Sequence, residues 1–183
     1  PVPLVEKAPV LGGNARRLVR SFQGEDVAGF LIDLIDEVES EPRITVHLET
    51  LVSDVDGFVG NFNSTLSTGA TETTIAHGVA VLATGARESQ PSEYLYRQHP
   101  AVVTHLEMDD LFRQDDLRIK RAADVVFIQC VGSRNEARPY CSKVCCTHSI
   151  QAAIELKEEN PDREIIILYR DIRTYGEREY LYK

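Results

Sequence analysis

The chain has 183 residues, 43% hydrophobic and 27% charged, with a net charge of −9. This composition reads as a globular protein of one domain or two small ones. It excludes a protein built of membrane spans, because the longest apolar runs, "VVFI" and "EIIILY", are strand-sized. The acidic balance argues against a nucleic acid held by phosphate contacts, and the opening residues give no expectation of a signal peptide. The first residues, "PVPLVEK", carry no initiator methionine, and the last, "TYGEREYLYK", stop as a helix begins. An excised piece of a longer protein is the expectation.

In chain order, "VPLVE" (2–6) predicts a buried strand, followed by the turn "KAPVLGGN". Residues 25–39 place Val27, Phe30, Leu31, Leu34, Ile35 and Val38 on one helical face, with Asp26 in the first turn. "ITVHLETLV" (44–52) predicts a strand running into an irregular second one. "DGFVGNF" reads as a turn and strand without chemistry. "GNFNSTLST" (60–68) and "ETTIAHGVAVLATG" (72–85) predict an antiparallel meander ending in a buried strand, "VAVLA". Residues 86–104 read as loop and 106–114 as a short helix. Residues 123–132 predict a buried strand, 148–161 a helix stopped by Asn160 and Pro161, and 163–171 a last strand. Strands alternating with helices at both ends indicate an α/β class with parallel pairing.

Two constellations carry chemistry. The first is Glu6 at a strand end, the pair Gly12 and Gly13, and later Ala83, Thr84 and Gly85 at the end of an apolar run. In dinucleotide-binding folds such a carboxylate accepts from ribose hydroxyls, and small residues let a cofactor lie against the backbone. Each element alone is a weak signal. Together and in this order they resemble the FAD domain of the thioredoxin reductase-like flavoproteins, over most of residues 1–88. The resemblance implies that Glu6 and Lys7, Gly12 and Gly13, and Ala83 to Gly85 bind FAD. The family's first strand and its G-x-G-x-x-G do not occur here, so FAD binding by this piece alone is expected to be weak or absent.

The second constellation gathers all four cysteines of the chain, as Cys130-x10-Cys141-x3-Cys145-Cys146. Bunching with a vicinal pair is not a secreted disulfide framework and favours a metal or redox site in a reducing cytoplasm. Four thiolates suit zinc or a cubane iron–sulfur cluster, and the spacing fits neither two zinc knuckles nor a ferredoxin run. Arg134, Arg138, Lys143 and a helix start would stabilise thiolates and raise a cluster's reduction potential. The window stands where a Rossmann unit carries its glycine turn, with Gly132 keeping the first tight bend. A cluster ranks first, a thiol–disulfide site second and zinc third.

The stretch "IQCVGSRNEARPYCSKVCCTHSIQAAIELKEENPDREIIILYRDIRTYGEREYLYK" closely resembles the A subunit of heterodisulfide reductase, an iron–sulfur flavoprotein of the cytoplasm. The resemblance runs over the whole chain and is most specific in residues 128–183. It implies an electron-transfer component of an oxidoreductase, in which FAD passes electrons through [4Fe–4S] clusters to the B and C subunits and an electron-donor module. In some members the flavin bifurcates electrons. Heterodisulfide cleavage belongs to the B subunit, so no catalytic residue is expected here. Cys130, Cys141, Cys145 and Cys146 are carried over as ligands of one cluster near the flavin. The expected architecture is a partial Rossmann-like FAD domain with a β-meander (1–88), a connector (89–120) and a second Rossmann-like βαβ unit bearing the cysteine loop (121–183). The isolated piece is expected to be inactive.

Rival readings are an FAD- and NADPH-dependent disulfide reductase using Cys141 and Cys145, and a docking scaffold with structural zinc. Arg170 and Arg173, just past a strand, would grip a nucleotide 2′-phosphate by resemblance, but solvated surface is the favoured reading. His148 reads as a helix-surface histidine. Ser133 and Ser142 would hydrogen-bond cluster sulfur, unless Ser142 caps the helix.

Overall fold

The structure, a computed structural model, describes residues 1–182. The chain divides into two compact units, one of Pro1–Arg16 with Ala28–Ala86, the other of Arg17–Val27 with the residues from Arg87 onward. The class is mixed α/β, with two parallel strand pairs and a three-stranded antiparallel sheet. Among the described residues no helix is long and apolar enough to cross a membrane.

The first unit pairs β1 (Val2–Val5) with β2 (Ile44–His47) in parallel. Helix α1 (Val27–Ser40) lies between them in sequence, the β-α-β order of a Rossmann-like unit. The helix forms where its apolar spacing requires. Its apolar face is not buried, however: no residue of α1 is, and Phe30 is 66% exposed. Two short strands are too few to cover a four-turn helix. Asp26 falls just outside the helix, where its backbone forms an isolated antiparallel β-bridge with Arg20 instead of occupying the first turn.

The meander of β3 (Thr50–Phe58), β4 (Asn61–Thr68) and β5 (Thr71–His77) follows as expected. A bulge between Val52 and Asp54 shifts the β3–β4 register, and Ser53 donates to the Thr65 carbonyl at 3.2 Å. The expected buried strand "VAVLA" does not form. Residues 79–83 belong to no strand, and Val81 and Leu82 are 86% and 88% exposed. An extended apolar run becomes a strand only where a neighbour offers backbone partners, and β1 is paired with β2 alone.

The second unit holds α2 (His105–Arg113), α3 (Leu117–Arg121), β6 (Asp124–Ile128), α4 (Cys145–Glu159) and β7 (Glu164–Leu168). β6 and β7 pair in parallel around α4, a second β-α-β unit. Thr104 and Glu107 close a reciprocal capping box on α2. The core is Met108, Leu111, Ile119, Phe127, Ala152 and Leu156. β6 was expected to be buried throughout; only Phe127 is, because a two-stranded sheet covers one face and leaves Val126 half exposed. α4 begins at Cys145, earlier than the sequence pattern predicts, and so takes both vicinal cysteines into its first turn. Asn160 is its C-cap, as expected.

Candidate cysteine centre and flavin edge

The loop from β6 to α4 carries the cysteines. Cys130 follows the strand and is held at φ 63, Arg134 at φ 57 and Lys143 at φ 63. Left-handed non-glycine residues cost about 1–3 kcal/mol each and persist where their surroundings fix them. Gly132, at φ 69, makes the tight bend expected of it, and a Cβ there would lie 3.1 Å from Ser89 Oγ. Ser133 N–H closes the turn on the Cys130 carbonyl at 3.1 Å.

All four thiols are free, and each meets a hydrogen-bond donor. Arg134 Nη1 lies 3.8 Å from Cys130 Sγ, Lys143 N–H 3.3 Å from Cys141 Sγ and Ser142 Oγ 3.4 Å from Cys145 Sγ. The backbone amide of Arg173 donates to Cys146. Burial pushes the Cys146 thiol up, and Cys145 and Cys130 add to that rise. Among the described residues no three or more His, Cys, Asp or Glu side chains stand close enough together to hold a metal ion. Gathering four sulfurs about one centre therefore requires the loop to draw in. The donor set itself suits a thiolate-bound metal group: four reduced sulfurs, N–H and O–H donors on them, and a helix start whose N-cap, Val144, makes no side-chain cap bond. Ser142 thus bonds sulfur and does not cap α4.

Beneath the cysteines lies a polar network that the sequence pattern does not announce. His148 is not a surface residue. It is half-buried, its Nε2 is 3.0 Å from Asp109 Oδ1, and its ring stacks on His105 with centroids 4.9 Å apart. His105 Nε2 lies 2.6 Å from Ser149 Oγ, and Gln129 Nε2 donates to the same hydroxyl. Enclosure between Phe127 and His148, with the repulsion of His148, lowers the His105 pKa to about 3, although the residue as a whole keeps partial exposure. The ring is therefore neutral near pH 7 and shares one hydrogen bond with the Ser149 hydroxyl through Nε2. Asp109 Oδ2, Gln129 Oε1 and Thr174 Oγ1 are buried without a hydrogen-bond partner. The one sequence signal for this network is His105 and Asp109 standing one helical turn apart on α2.

Arg170 and Arg173 are not simply solvated. Arg170 Nη1 donates to the Arg134 carbonyl at 2.8 Å, and Arg173 Nε pairs with Asp171 Oδ2 at 2.6 Å.

In the first unit, Glu6 closes β1 and accepts from Ala8 N–H at 2.8 Å, with Lys7 exposed beside it. Gly12 and Gly13 sit at φ 107 and φ 47. A Cβ on Gly12 would meet Leu31 Cδ2 at 2.9 Å, so α1 packs against bare backbone there. Ala83, Thr84 and Gly85 are exposed, Gly85 at φ 67. Asn14, not singled out in the sequence, joins the two halves of this edge: its Nδ2 donates to the Ala86 carbonyl at 2.8 Å. The edge offers a carboxylate and a stretch without bulky side chains.

No family model matches the chain. The A subunit of the H(2):CoB-CoM heterodisulfide,ferredoxin reductase of Methanothermobacter marburgensis is 36% identical over 119 residues, covering 57% of this chain and 18% of that protein. An iron-sulfur A subunit of the CoB--CoM heterodisulfide reductase of Methanopyrus kandleri is 25% identical over an alignment covering 96% of this chain and 40% of that protein. The chain is a sequence relative of the A subunit of heterodisulfide reductase. It spans less than half the length of either of those two proteins. Among solved structures, L-proline dehydrogenase from P. horikoshii aligns with 97% of this chain and 32% of its own, at 15% identity and a TM-score of 0.49.

Proposed function

We propose that this chain is part of an oxidoreductase of the heterodisulfide reductase type and carries electrons between FAD and a [4Fe–4S] cluster. Cys130, Cys141, Cys145 and Cys146 would hold the cluster, and Glu6, Lys7, Gly12, Gly13 and Ala83 to Gly85 the flavin. When bound, the cluster would carry electrons one at a time, and the flavin, which exchanges one or two, would couple those single steps to two-electron chemistry. The observation that carries this reading is the cysteine loop itself: four reduced thiols, each with a donor to sulfur, spread from the end of β6 to the first turn of α4. The names of the relatives, which include iron-sulfur subunits, support it.

The chain's own residues have separate tasks. The left-handed backbone at Cys130 and Lys143 aims the loop, Ser142 and Lys143 N–H steady two sulfurs, and the first turn of α4 favours negative charge on them. Glu6 is available for ribose hydroxyls once its bond to Ala8 is shared. In this reading residues 1–88 serve the flavin, 121–183 the cluster, and 89–120 connect them. The partners would be the other subunits of such a complex, acting in a reducing cytoplasm.

Metal analysis after anaerobic reconstitution with iron and sulfide tests this. The expected result is iron with acid-labile sulfide, lowered by each Cys→Ser change. Zinc alone would mean a structural site, and titratable thiols without metal a disulfide reductase. Unchanged iron in a single variant would remove that cysteine from the ligand set.

A further inference from the structure

After β7 the chain turns back onto the cysteine loop and touches it on two sides. On the Cys130 side, Asp171 Oδ1 accepts from Arg134 Nη1, the same nitrogen that lies 3.8 Å from Cys130 Sγ. Its other oxygen takes Arg173 Nε at 2.6 Å, and Arg170 fixes the Arg134 carbonyl at 2.8 Å. On the Cys146 side, Arg173 N–H donates to the thiol, and Thr174, 1% exposed, accepts from Thr147 Oγ1 at 3.5 Å. The Arg134 side chain is 21% exposed, which shelters its charge from salt more than a free surface arginine.

We propose that Asp171 is a positioning residue that holds the Arg134 guanidinium against the sulfur of Cys130, and that this ion pair sets how readily a cluster held by the cysteines accepts an electron. The inference rests on the reading given under Proposed function. Reduction adds negative charge at the thiolates. A guanidinium on sulfur stabilises that charge, while the carboxylate behind it opposes the effect from farther away. The two members of the pair therefore act with opposite sign, which a merely structural pair does not.

The test uses this chain reconstituted anaerobically with iron and sulfide, its iron and sulfide content measured, and its midpoint potential read by dithionite titration followed by electron paramagnetic resonance. Arg134→Gln should move the midpoint negative by a factor of about ten in the reduction equilibrium, about 59 mV for one electron. Arg134→Lys, which keeps the charge, should stay near the parent. Asp171→Asn keeps an acceptor for Arg134 and removes the opposing charge, so its midpoint should move positive. Shifts of the same sign in Arg134→Gln and Asp171→Asn, or no shift in either, overturn the proposal. Should Arg134→Gln lose its iron, the sign of the shift in Asp171→Asn decides alone. A parent chain without iron and sulfide would instead overturn the cluster reading, and the ion-pair proposal with it.

Discussion

Nε2 of His148 lies 3.0 Å from the carboxylate of Asp109, tying the helix that begins with Cys145 to α2 through a residue only 5% exposed. The other carboxylate oxygen has no partner, so this bond is the main compensation for a buried acid.

His148→Ala should therefore destabilise the second unit by about 3–5 kcal/mol, the usual result of stripping the partner from a buried charge. His148→Gln, which keeps a donor, should recover part of the loss, and Asp109→Asn should cost less than His148→Ala. Urea unfolding measures all three.

Arg163 is fully enclosed and donates to the carbonyls of Ala122, Leu156, Ile119 and Lys120 and to Glu159. It closes the carboxyl ends of α3 and α4 with one planar group. Arg163→Met should lower stability by about 3 kcal/mol or more, since several buried acceptors lose their partners. Arg163→Lys should rescue little, because three donors from one point cannot reach acceptors spread around a fork. Thermal melting followed by circular dichroism separates the two variants.

His105 makes stability fall in acid. Its pKa in the folded chain is about 3, below the unfolded value near 6.5. Above pH 6.5 neither state holds the extra proton and the residue has no effect. Below it the unfolded chain binds a proton that the folded chain refuses, so stability is lost as pH falls from 6.5 toward 3. The slope approaches about 1.4 kcal/mol per pH unit. His105→Asn should flatten unfolding free energy measured between about pH 7 and pH 4.5; an equally steep profile in the variant would refute this account.

Gly57 turns the end of β3 at φ 104, and a Cβ there would collide with the Asn61 carbonyl oxygen. The obstacle is backbone, which cannot swing aside. Gly57→Ala should cost the first unit about 2–4 kcal/mol, combining left-handed strain with displacement of a strand pair. Gly69→Ala at φ 58, with nothing within 4 Å of the added carbon, should cost much less. Amide exchange across β3 and β4 reads the difference.

Local patterns proved legible where the physics is local. Six apolar residues at helical spacing placed α1, Thr-rich alternation placed the meander, and Asn160 before Pro161 ended α4. Burial was less legible, because it depends on what stands opposite. Residues 79–83 have the composition of a core strand and face water. His148 looked like a surface residue because its partners, His105 and Asp109, arrive from another helix, 39 residues away in the case of Asp109. The cysteines announced themselves by crowding. The arginine at Cys130 was visible as a nearby cation, whereas the carboxylate that grips it lies 37 residues on, past a whole helix and strand.

The bare run at 79–83 also governs how the chain would respond to a protease. Leu82, 88% exposed and outside any ladder, is a natural first cut for an enzyme that prefers large apolar residues. The cut would not release two free halves. Arg17–Val27 would remain on the amino-terminal fragment while folding with the other, held there by Arg17 on Asp110 at 2.6 Å and Arg20 on Glu155 at 3.3 Å. A nicked chain should thus run as two bands on a denaturing gel and elute as one particle from a sizing column.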